Sequence, residues 1–193
     1  MNEPTGVALV DMMLPTYRQM LGALSNWLDK AQTQLGQPEA DALMAKRLAP
    51  DMFPLSTQVR FCCVQVMEGV SRLSGKPFPA AVDILLEEGR NAGETPGTLS
   101  DAQAHISESL AWLDKQDANA TALEPADPIE HSLPNGIVFD FTTEQYVRDW
   151  ALPQFNFHLM TAYAIMRSSG VELGKVDYVS HLLPLVRPGT MPG

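Results

Sequence analysis

The sequence predicts an all-α fold, an antiparallel four-helix bundle. Four long stretches repeat apolar residues at alternating three- and four-residue spacing, the mark of amphipathic helices. Proline and glycine punctuate their ends. Alternating β-type patterning is confined to one short excursion before the last helix. Of the 193 residues, 45% are hydrophobic and 19% charged, which excludes disorder over most of the length and allows a sizeable core. The connections between the helices are not short, so at least one long crossover is expected.

The first helix carries Leu14, Tyr17, Leu21, Leu24, Leu28, Ala31 and Leu35 on one stripe. Gly36 stops it, and Pro15 either starts it or kinks it. A short helix follows over Pro38 to Arg47, with proline in the first turn. The second long helix begins near Pro54. It presents Leu55, Val59, Cys62, Cys63, Val66, Val70 and Leu73 on a broad face and ends at Ser74-Gly75. Ala81 to Arg90 reads as a helical turn or two. The third long helix runs from Leu99 or Ser100 to about Asp117, with a stripe of Leu99, Ala102, Ile106, Leu110 and Leu113. Ser100 and Gln103 fit a capping box.

Leu133 to Phe139 holds the pair Asn135-Gly136 between β-formers, so a small hairpin or irregular excursion is expected. The last long helix starts near Thr142 or Thr143 and ends at Ser169-Gly170, with a kink expected at Pro153. Val147, Ala151, His158, Thr161, Ala162 and Ile165 share one face. Tyr146, Trp150, Phe157, Met160 and Ala164 share the neighbouring one. One domain over residues 1–180 is expected, then a loosely ordered tail over 181–193.

Thirteen Lys and Arg face 23 Asp and Glu, a net charge of −10 that repels phosphate backbones and argues against nucleic acid. The excess sits in the stretch from Asp83 to Asp149, where 14 acidic residues meet only Arg90, Lys115 and Arg148; it reads as a solvated face. Two adjacent cysteines cannot easily bridge each other on a helix and read as buried small hydrophobes. Two free thiols suit the cytoplasm. The N-terminus has no basic leader pattern, and no apolar run is long enough for a membrane span.

Two motifs carry a family likeness. One is Arg47 to Leu55 (RLAPDMFPL) with Gln58 following. The other is Leu152 to His158 (LPQFNFH), then Thr161 to Ile165, Arg167, Gly170 to Lys175 and Asp177-Tyr178. Together they resemble an uncharacterised bacterial family of the DinB-like and YfiT-like helical bundles. The resemblance implies an up-down-down-up four-helix bundle, often a homodimer. Many DinB-like proteins hold a divalent metal, such as zinc or nickel, through three histidines. One comes from the second helix and two come from the fourth, at i, i+4 spacing. Some use it to activate a small thiol for transfer. His158 matches one fourth-helix ligand, but Ala162 and Gln154 stand four residues to either side. The second helix has no histidine. The three-histidine cage is therefore incomplete, and no cofactor is expected. Asp51 is the one nearby carboxylate that could replace a ligand.

His158 is the leading candidate residue. It reads as a hydrogen-bonded core histidine, as a pocket residue for a ligand or acid/base work, or as a metal ligand. Asp51 reads as a capping carboxylate of the second helix or as a partner of His158 or Arg60. Tyr17, Trp150, Asn156 and Tyr163 read as packing residues with a polar tip, or as the walls of a bundle-end pocket. His105, His131 and His181 read as surface residues. No nucleophile motif is present. The function expected first is a small-ligand-binding or non-catalytic bundle with its pocket near His158. A metal-dependent enzyme of the thiol-transferase type and a structural dimerisation module are the alternatives.

Overall fold

A computed structural model of the chain describes residues 9–116 and 123–190. Expectations that fall on residues 1–8, on Asp117 and on residues 191–193 lie outside them. The fold is mostly helical, with one two-stranded sheet.

Helix α1 spans Leu9–Leu35 and buries the predicted stripe from Leu14 to Ala31. Pro15 lies inside it, so the helix starts upstream of the proline. Gly36 ends it with a positive φ of 81°, a conformation that costs glycine little. The short α2, Gln37–Leu43, has Pro38 in its first turn. Helix α3 runs over Leu55–Leu73 and buries the whole predicted face. It also buries Ser56, Thr57, Gln58 and Arg60 on its other sides, because α1, α4, α5 and α7 all pack against it. Thr57, Gln58 and Arg60 have partners, whereas the Ser56 hydroxyl has none among the described residues. Thr57 donates to the Gly89 carbonyl at 2.7 Å, and Arg60 donates to the carbonyls of Ser56 and Pro96, both at 3.2 Å.

The weak pattern from Ala81 conceals a full helix, α4 (Ala81–Asn91). Helix α5, Leu99–Leu113, begins one step earlier than the predicted cap. Its capping box is Thr98 with Asp101. Gln103, the predicted cap partner, instead donates to Asp29 at 2.6 Å and accepts from Ser25 at 2.7 Å, tying α5 to α1. Arg18 pairs with Asp114 at 2.9 Å farther along, so these two helices run in opposite senses.

Strands β1 (Pro128–Ser132) and β2 (Val138–Thr142) pair antiparallel, with His131 opposite Phe139. The hairpin loop uses Asn135-Gly136 but spans five residues, closed by Leu133 N–H donating to the Ile137 carbonyl at 2.7 Å. Thr142 then opens a helical stretch as the N-cap of α6, Thr143–Gln145. A π-helical segment follows over Tyr146–Ala151, and α7 runs over Leu152–Ser168. The predicted kink at Pro153 takes this form. Proline offers no N–H to the carbonyl four residues back and its ring crowds that carbonyl. The Leu152 N–H reaches back five residues, to Val147, and the turn widens. Beyond α7 the chain forms α8 (Lys175–Tyr178) and a 3-10 segment over Ser180–Leu185, where no regular element was predicted. Asp177 anchors α8 to α1, accepting from Lys30 at 3.0 Å.

Candidate functional site

The first turn of α3 and the middle of α7 meet at Gln58 and His158. Gln58 has its amide fixed at both ends. Its Nε2 donates to the Phe53 carbonyl at 3.1 Å, so its Oε1 is the atom 2.8 Å from His158 Nδ1. An amide oxygen only accepts, so Nδ1 carries the proton. Nε2 of His158 is left with a bare lone pair and no hydrogen bond among the described residues. Burial pushes the His158 pKa down from 6.5 to about 4, so the ring is neutral at pH 7.

Two aromatic rings pack against it, and a third backs one of them. Phe61 and Phe157 meet the imidazole edge-on at 5.2 and 5.4 Å, and Phe53 meets Phe61 edge-on at 5.7 Å. Phe53 and Phe157 stay 45% and 57% exposed, so they form an open apolar rim. The site is a neutral acceptor set in aromatic walls, suited to a hydrogen-bond donor with a flat body.

The other sequence candidates do not join it. Tyr17 is fully buried against Phe155, with its hydroxyl unpartnered. Tyr163 packs edge-on against Trp27 at 5.3 Å. Asp51 and Asn156 are exposed. The capping role read for Asp51 falls to Pro54, the N-cap of α3, which has no side-chain cap bond. Trp150 packs at the hairpin, 4.5 Å from the ring of His131. Two histidines read as surface residues are not. His131 is buried at an inward position of β1, and His105 is partly buried and lies 3.4 Å from Glu88. Sequence reasoning gave no role to Gln58, Phe53, Phe61 or the rim position of Phe157. Gln58 stood in the first family motif, and its distance from Phe53 was the available signal.

The three-histidine metal cage implied by the resemblance does not fit. The Nδ1 of His158 is taken by an amide, and α3 supplies no imidazole. Among the described residues no group of three or more His, Cys, Asp or Glu side chains stands at metal-holding geometry. Structural zinc sites use four such donors and catalytic ones at least three.

Fold and site together define a DinB-like helical bundle built around a neutral, amide-tethered imidazole. The chain belongs to the domain of unknown function family DUF1993, whose model matches residues 9–179. Among solved structures it is similar to a DinB family member protein from Shewanella denitrificans. The two share 29% identity and a TM-score of 0.71 over 95% of this chain and 96% of that one. No curated protein matches it. No helix among the described residues is long and apolar enough to cross a membrane.

Proposed function

We propose that the protein is a small-ligand-binding bundle, non-catalytic and without a resident metal, whose pocket surrounds His158. One observation carries the reading: the Gln58 amide locks His158 in the tautomer that leaves Nε2 a bare acceptor beside exposed aromatic rings. The ligand class is a flat molecule bearing an N–H or O–H donor. One imidazole and one amide are too few donors for tight zinc or nickel binding.

The expected helix order is up-down-down-up. The α1–α5 pairing supports it, as do Tyr17 with Phe155 and Trp27 with Tyr163, which run α1 and α7 in the same sense. The same proposal places the protein in the cytoplasm, where its two free cysteines stay reduced. A homodimer is part of the same proposal.

Imidazole nitrogen NMR shifts tests the pocket, with phenol and indole as donor probes and toluene as the non-donor control. Saturable movement of the His158 Nε2 resonance with phenol or indole, and not with toluene, supports it. Equal response to toluene, or no saturation, overturns it. Light scattering at micromolar concentration tests the dimer, and a strict monomer counts against it.

A further inference from the structure

A polar cavity lies at the hairpin end of the bundle, about 240 Å³ in volume, between α3, α4, β1 and the π segment. Gln65, Glu68, Arg72, Arg90, His131 and Trp150 line it. Gln58, Gln65 and Arg72 stand seven residues apart along α3. Gln65, the nearest of its α3 lining residues, stands one such step, ~10 Å of helix, from Gln58, and His158 is not in the lining.

Several residues that line the cavity carry buried polar atoms with no partner among the described residues. His131 is only 5% exposed, and both its nitrogens are among them. The same holds for Gln65 Oε1, Arg72 Nε and Trp150 Nε1. Leaving such groups unsatisfied is costly, and several on neighbouring residues are uncommon in a native fold. Three of them are donors: the Arg72 guanidinium, the Trp150 indole and one His131 nitrogen. Arg72 is held in place by its bond to the Glu130 carbonyl at 2.9 Å and by the Phe78 ring 4.9 Å below its guanidinium. Neither Arg72 nor Arg90 has a carboxylate partner among the described residues. Glu68 is the one acidic group in the lining, against two guanidiniums.

We propose that this cavity binds a small organic acid with a flat apolar body, its carboxylate received by Arg72, Trp150 and His131. Guanidinium and indole donors suit a carboxylate, and the Phe78 face, Leu133 and Pro134 suit the body.

Benzoate is the probe and benzamide its uncharged counterpart, with the Trp150 indole and His131 imidazole resonances as readout. Trp150→Phe assigns the indole signal. Saturable shifts with benzoate are expected, and binding of benzamide at least tenfold weaker. Arg72→Lys, which keeps a charge but removes the Nε donor, weakens benzoate by about tenfold. Glu68→Gln tightens it. His158→Phe leaves it unchanged, so the two sites fail separately. No saturation, equal affinity for benzamide, or weaker binding in Glu68→Gln overturns the proposal.

Discussion

The tethered imidazole of His158 makes stability depend on pH in a direction the structure dictates. In the fold its pKa lies at about 4 rather than 6.5, driven by burial. The unfolded chain therefore binds the proton first as pH falls. The stabilising contribution is fully present above about pH 6.5, declines below that, and is gone below pH 4. Its full size is ~3 kcal/mol, and ~2 kcal/mol of that falls between pH 7 and pH 5. The assay is urea unfolding at those two pH values, followed by far-UV circular dichroism, for the wild type and His158→Gln. His131, driven to about 4 by burial and by Arg72, remains in both proteins and contributes equally. The wild type is expected to lose ~2 kcal/mol more than the variant over the interval. Equal losses in the two proteins would refute the reasoning, because His158 would then titrate alike folded and unfolded.

Two glycines of the bundle are set by close approach. A Cβ on Gly89 would stand 2.5 Å from the Phe61 ring, and one on Gly69 would stand 2.7 Å from the Tyr17 hydroxyl. Gly89→Ala and Gly69→Ala are each expected to cost ~1–3 kcal/mol by overpacking, read from denaturant midpoints. Arg60 ties α3 to α4 through Glu88 at 3.1 Å and to the α4–α5 connection through the Pro96 carbonyl. Arg60→Met is expected to cost ~2 kcal/mol in the same measurement, because the Pro96 carbonyl loses its donor and Glu88 its partner. Cys62 and Cys63 are fully buried, and burial pushes the Cys63 thiol up to about 12. Neither is expected to react with a disulfide reagent at pH 8 until the protein is unfolded, and stoichiometric labelling of the native protein would contradict this.

The long helices were legible in the sequence because packing in a bundle enforces a period that single residues betray. Leu14, Tyr17, Leu21, Leu24 and Leu28 are buried as their spacing requires. Helix α4 was underread, since its buried side is narrow: Val82, Leu85 and Gly89. The site was legible only in part. His158 stood out as a polar residue on an apolar face. The amide that sets its tautomer lies 100 residues away on another helix, and no local pattern announces such a pairing. His131 was misread for a related reason. In a loop-like stretch rich in proline it looked exposed, but strand alternation from Ile129 turns it inward.

The sequence groups Tyr146, Trp150, Phe157 and Met160 on one helical face, and the structure splits them. Tyr146 is buried and Trp150 half-buried, whereas Phe157 and Met160 are 57% and 42% exposed. A regular helix advances about 100° per residue. A π turn accommodates one residue more, so everything before it is rotated by about that angle relative to everything after. The π segment Tyr146–Ala151 contains the first pair and ends before the second. The rotation accounts for both halves of the split: it lays Trp150 against His131 and the hairpin, and it leaves Phe157 at the rim of His158. Pro153, which obliges the helix to widen there, is thus coupled both to the surroundings of His158 and to the hairpin-end cavity, whose lining does not include it.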